Sequence, residues 1–177
     1  MKKMIFAAAA ALICLTGCDS TGLVHDKNYL RAVAVDVGEE LSVTLAFFSE
    51  QESVAVTGDS MEAVIEEAQL RTGRKIFTGY TELIVFSGER PAEMLGYMLK
   101  EWKISPSCVT AHSDNCGALL KDGSAEMLHG SVQEAARMKK APASDVLKVL
   151  GELLDTGRAE VAELSPLGVT GVSVISD

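Results

Sequence analysis

Apolar and polar residues alternate over residues 30–49. Val33, Val35 and Val37 share one face of a first arm, and Leu41, Val43, Leu45 and Phe47 share one face of a second. A period of two marks half-buried strands, and Gly38-Glu39 between the arms supplies turn chemistry, so the pattern predicts a β-hairpin. Residues 54–57 read as a further short strand. The period then lengthens: Met61, Val64, Ile65 and Ala68 fall at i, i+3, i+4 and i+7, the stripe of an amphipathic helix. Asp59 with Glu62 three positions later reads as a capping box at its start, and Gly73 as its stop. Lys75-Ile76-Phe77 follows. Leu83-Ile84-Val85-Phe86 is an unbroken apolar run of strand length, which predicts a central strand covered on both faces.

Pro91 suits the first turn of a second helix, with Met94, Leu95, Met98, Leu99 and Trp102 on its inner side. A methionine-rich stripe serves either an adaptable groove or an ordinary core, and core is the simpler reading. Residues 108–111 read as a strand, and Asp114 as the cap of a short helix ending near Gly123. Residues 131–140 and 144–155 read as two more helices. The second carries Leu147, Leu150, Leu153 and Leu154, with Gly157 as its stop. The tail alternates again through Val169, Val172 and Val174. Strands mixed with helices after an early hairpin predict an α+β domain: a mixed β-sheet packed by several helices.

The first residues follow a different rule. Lys2 and Lys3 precede an apolar run over residues 4–15. A run of about a dozen residues fits a secretory signal and falls short of the about 20 needed to span a bilayer. It ends in Leu15-Thr16-Gly17-Cys18, which resembles the lipobox of a bacterial lipoprotein. Cleavage before Cys18 makes residues 1–17 a signal peptide and Cys18 the lipidation site. Each buried methylene of an acyl chain contributes about 0.8 kcal/mol, and two or three chains hold where one is marginal. The address implied is the outer face of the cytoplasmic membrane, reached through lipid on Cys18. Residues 18–29 then read as a lipidated tether, and residues 30–177 as one domain with a sizeable core.

The full chain carries a formal charge of −9, and loss of Lys2 and Lys3 with the signal makes the remainder more acidic still. That balance argues against nucleic acid, whose phosphates are held by Lys and Arg. It also argues against lying flat on anionic lipid. Cys108 and Cys116 remain after the signal and the lipidated cysteine are set aside. Export permits a disulfide between them, and two separate buried thiols are the simpler reading.

No catalytic signature stands out. The chain has no Gly-x-Ser-x-Gly elbow, no His-Glu-x-x-His and no phosphate-binding glycine loop. His25 lies in the tether, and His112 and His129 have no partner visible in the sequence. Cys108, His112 and Cys116 are too loosely spaced to read as a zinc site. The pairs Glu39-Glu40 and Glu66-Glu67, and the basic run at residues 137–140, read as solvated faces. The expectation is a non-enzymatic protein with no cofactor and no metal.

Five segments in order resemble the N-terminal domain of the Ger(x)C spore germination lipoproteins, the C-subunits of nutrient germinant receptors. The first is the lipobox. The second is Ala32-Val33-Ala34-Val35-Asp36 followed, after a turn, by Leu41-Ser42-Val43-Thr44. The third begins Val56-Thr57-Gly58-Asp59-Ser60 and runs to Ala63; the fourth joins residues 74–80 to residues 83–89. Residues 164–175, with Gly171, are similar to the strand that closes that domain. Two positions depart from the family pattern. Asp19 stands where a tryptophan often follows the lipidated cysteine, and Tyr80 where a histidine is usual. Family members continue into further domains, so the resemblance covers the first domain alone. It implies a non-enzymatic scaffold of a germinant receptor. Its partners would be integral-membrane A- and B-type subunits, and its location the spore inner membrane. An envelope lipoprotein that binds a small ligand or another envelope protein, unrelated to sporulation, is the alternative.

Overall fold

The computed structural model describes residues 27–49, 52–120 and 124–177. Residues 1–17 and Cys18 lie outside them, as does most of the expected tether. Among the described residues, eight strands form one mixed sheet and five helices cover it, an α+β fold.

Strand β1 (Lys27–Val37) lies in the interior of the sheet. Strands β2 (Leu41–Phe47) and β3 (Val54–Gly58) fold back beside it as an antiparallel meander. Val33 pairs with Leu45 and Val35 with Val43, the register that the alternating valines require. Helix α1 (Met61–Thr72) crosses to β4 (Lys75–Phe77) and β5 (Leu83–Gly88). Both run parallel to β1, with β4 against its first three residues and β5 against its second half. Helix α2 (Pro91–Tyr97) widens into a π-helical turn (Met98–Trp102) before β6 (Val109–His112). Two helices, α3 (Cys116–Leu119) and α4 (Ala125–Arg137), precede α5 (Val146–Thr156) and the closing hairpin of β7 (Arg158–Ser165) and β8 (Gly168–Ser176). The strand order is β3-β2-β1-β5-β6-β7-β8.

Side-chain alternation divides the core into two layers. Leu30, Val33, Val35, Ile84, Phe86 and Val161 face α1, α2 and α5. Ala32, Ala34, Leu83, Val85, Ala111 and Ala162 face α3 and α4. The second face is rich in alanine, and Leu128 of α4 is wholly buried on it. Large side chains fill the first layer, where each fully buried Val, Leu or Phe contributes about 1.5–3 kcal/mol.

The expected central strand is present: all four residues of Leu83-Ile84-Val85-Phe86 are buried, between β1 and β6. Gly73 and Gly157 end their helices in the left-handed conformation, and Pro91 opens α2. Other expectations need correction. β1 starts at Lys27, three residues before the predicted Leu30, because Lys27, Asn28 and Tyr29 pair with β4. Residues 27–29, expected in the tether, therefore belong to the sheet. Helix α1 is capped by Ser60, whose Oγ accepts from the Ala63 N–H at 3.2 Å, and not by Asp59. Helix α3 follows Asn115, not Asp114, and has no side-chain cap. Helix α4 begins six residues before the predicted Ser131, because Ala125 and Leu128 extend its buried stripe through Val132 and Ala135. On α5 the packed residues are Val146, Val149 and Leu153, while Leu147 and Leu154 are exposed.

Candidate functional site

The parallel strands β1 and β5 end side by side at Val37 and Gly88. Gly88 holds φ +89°, and a Cβ there would lie 2.1 Å from the Val37 carbonyl oxygen, so the approach admits only glycine. Beyond these ends opens a groove of about 380 Å³. Three segments wall it: the Gly38–Glu40 turn, the β3–α1 junction around Asp59 and Ser60, and the first turns of α2. Buried Met61 and Met94 line it along with Val37. Crevices outside the carboxyl ends of parallel strands are where open α/β sheets place ligands.

The lining is acidic. Glu39, Glu40, Asp59 and Glu93 supply four carboxylates. Arg90 is the cation among the lining residues, and its Nη1 lies 3.3 Å from Glu93 Oε2. Both side chains of that pair are largely exposed, so it adds little stability. Tyr97 also lines the groove; burial, then the charges of Glu62 and Glu101, push its phenol above the ordinary range. It stays a hydrogen-bond donor at neutral pH. Carboxylates beside a phenol donor and thioethers can hold a cationic group or basic segment.

The opposite end of β1 has another chemistry. Parallel register sets Lys27 beside Lys75 and Tyr29 beside Phe77. Tyr80, from the turn after β4, completes an aromatic trio: Tyr29–Tyr80 centroids are 5.8 Å apart and Phe77–Tyr80 centroids 5.2 Å. Lys27 Nζ sits 6.0 Å from the Phe77 ring centre. The turn is fastened to the π-helical segment, because Thr78 Oγ1 donates to the Trp102 carbonyl at 2.7 Å. Tyr80 is 62% exposed and Phe77 38%.

Between the ends lies an ion cluster that the sequence does not reveal. Arg31 donates through Nε to Glu82 at 3.0 Å and through Nη1 to Glu126 at 2.8 Å. Its guanidinium lies 4.8 Å from the Phe48 ring centre. His129 Nδ1 lies 3.6 Å from the same Glu82 oxygen. The cluster ties α4 to β1 and to the entry of β5. Partners 51 and 95 positions apart leave no local signal.

Cys18 lies outside the described residues. Cys108 and Cys116 are free and buried, so the disulfide considered between them is not formed. The sheet is the physical reason: Cys108 packs in the layer facing α1, α2 and α5, and Cys116 in the layer facing α3 and α4. Burial raises both thiols. Cys116 is pushed up to about 12 by desolvation and then by the charge of Asp36. Cys108 is pushed higher still, by desolvation and then Glu82. His112, on β6, lies 3.9 Å from Asp114 and is not among the groove's lining residues. Among the described residues no three His, Cys, Asp or Glu side chains form a metal-binding group. No described helix is long and apolar enough to cross a membrane. Compared with protein-family models, curated proteins and solved structures, the chain matches none.

Proposed function

We propose that this chain is a membrane-anchored lipoprotein that serves as a non-enzymatic subunit, or scaffold, of a spore nutrient germinant receptor. The observation that carries the reading is Leu15-Thr16-Gly17-Cys18 behind a short apolar run, with the Ger(x)C-like segments after it in order. In the fold those segments are neighbours. Residues 32–36 lie in β1, residues 41–44 in β2 and residues 83–88 in β5, three adjacent strands of the sheet. The glycine that ends the last of them has a steric cause in the Val37 carbonyl.

Lipid on Cys18 holds the domain at the outer face of the cytoplasmic membrane, which is the spore inner membrane in a receptor. Tethering raises its effective concentration beside integral-membrane A- and B-type subunits. The scaffold offers the walls of its groove to the parts of those subunits that project beyond the membrane, with no chemical step of its own. Metabolic labelling with a fatty-acid probe tests the anchor. The native chain takes up label and sediments with membranes, whereas Cys18→Ala remains unlabelled and leaves the membrane fraction. Label on the Cys18→Ala chain refutes the assignment. Co-extraction of multi-spanning subunits with the native chain tests the receptor role, and their absence refutes it.

The groove favours one second reading. Its volume of about 380 Å³ lies within the range of small-molecule sites. An envelope lipoprotein unrelated to sporulation would use it for a small cationic ligand or for another envelope protein. Transcripts confined to the forespore favour the receptor subunit; steady vegetative expression favours the second reading.

A further inference from the structure

We propose that the Lys27 end of the domain docks on the bilayer surface, standing the sheet on end with the acidic groove pointing away. The proposal rests on the lipid anchor proposed above. Cys18 precedes Lys27 by nine positions. At about 3.3–3.6 Å per residue, such a segment spans at most about 30 Å. Lys27, at the start of β1, stands beside Phe77 of the aromatic trio. Strand β1 has 11 residues, so its Val37 end stands about 35 Å further along. A lipid on Cys18 therefore brings Tyr29, Phe77 and Tyr80 to the membrane more readily than it brings the groove.

The exposed groups there suit a lipid headgroup layer. Tyrosine side chains are favoured at that depth, where a ring meets acyl chains and a hydroxyl meets water, and phenylalanine adds an apolar contact beside them. Leu70, 79% exposed at the end of α1, lines a shallow hollow with Arg74, Lys75 and one carboxylate, Glu66. Lys27 joins them from β1, and the exposed Lys103 follows the π-helical segment to which the Tyr80 turn is bonded. Cations thus gather at one end of a chain whose net charge is −9. Anionic lipid attracts that end and repels the Glu39, Glu40, Asp59 and Glu93 end.

Lipidated chain purified from membranes and reconstituted in vesicles of equal parts phosphatidylglycerol and phosphatidylcholine tests this. Tyr80→Cys and Glu40→Cys each carry a fluorophore; buried Cys108 and Cys116 resist labelling. Spin-labelled phospholipid is the quencher. Quenching several-fold stronger at position 80 than at position 40 is expected. Joint reversal of half-buried Lys27→Glu and exposed Arg74→Glu and Lys75→Glu should bring position 80 down to the level of position 40. Equal quenching at both positions, or a signal at 80 that the reversal leaves unchanged, overturns the proposal. So does a cross-link through position 80 between two copies without lipid quenching, which names a second copy as the occupant. The mass of the same purified chain separates the two failures. A chain without acyl groups on Cys18 defeats the anchor as well, whereas an acylated chain with equal quenching defeats the orientation alone.

Discussion

At the Lys27 end of β1, three aromatic rings stack among exposed cations; at the Val37 end, carboxylates surround a groove. One strand connects the two. The difference shows how much an overall charge conceals. A net −9 argues against a body lying flat on anionic lipid, yet says nothing of how the charges divide between its ends. The ends also differ in rigidity. The groove is built on a backbone approach that excludes any side chain at Gly88. The aromatic end is built from rings that are partly solvated and replaceable.

That contrast predicts unequal responses to mutation. Gly88→Ala should give the largest effect. Its Cβ would meet the Val37 carbonyl oxygen in a left-handed backbone conformation, a combined cost of about 3 kcal/mol or more. Chemical denaturation measures it, and a loss below about 1 kcal/mol would mean that the β1–β5 ends adjust freely. Arg31→Met comes next. It leaves Glu82, Glu126 and the Phe48 ring without the guanidinium that gathers them, at roughly 1–3 kcal/mol. Glu82→Gln in the same background should recover part of that loss, since a half-buried carboxylate no longer lacks its partner.

Alkali gives a third effect, shared by both layers of the core. The folded thiols of Cys108 and Cys116 keep their protons above the ordinary value of 9.0. Their contribution to stability is therefore full below pH 9.0. As the pH rises, the unfolded chain loses protons that the folded chain retains. Stability then declines by about 1.4 kcal/mol per pH unit for each thiol, continuing to about 12 for Cys116. Thermal unfolding from pH 8 to pH 10 should show the decline, and Cys116→Ala should roughly halve its slope. The smallest effects belong to the exposed groups. Tyr80→Ser should cost less than about 1 kcal/mol of folding stability, and Glu39→Gln with Glu40→Gln within about 0.5 kcal/mol. A large loss from Tyr80→Ser would assign the aromatic trio to holding the fold rather than to meeting a partner.

Much of the sheet was legible because its signals are local. Alternating valines set the register of β1 on β2, and the unbroken run in β5 marked its central place. Gly73, Gly157 and Pro91 marked helix ends through backbone preferences that need no partner. What was not legible depends on chain crossings. Tyr29 meets Phe77 only because β4 runs parallel to the first residues of β1. The start of β1 was misplaced for the same reason. The cap of α1 shifted by one residue because Asp59 and Ser60 are both good caps, and only the extended backbone of Ser60 selects between them. The spacing of Cys108 and Cys116 left a disulfide open, and the sheet lying between their two layers closes that option. The groove could not be read at all, since its walls come from three separate segments.

The proposed orientation of both ends depends on the proposed acyl chains at residue 18. Mass spectrometry of the N-terminal peptide of chain extracted from native membranes measures this most directly. A mature peptide beginning at Cys18, heavier by the mass of its diacylglyceryl group, is the predicted result. A peptide that runs uncut from Met1 through an unmodified Cys18 would contradict it.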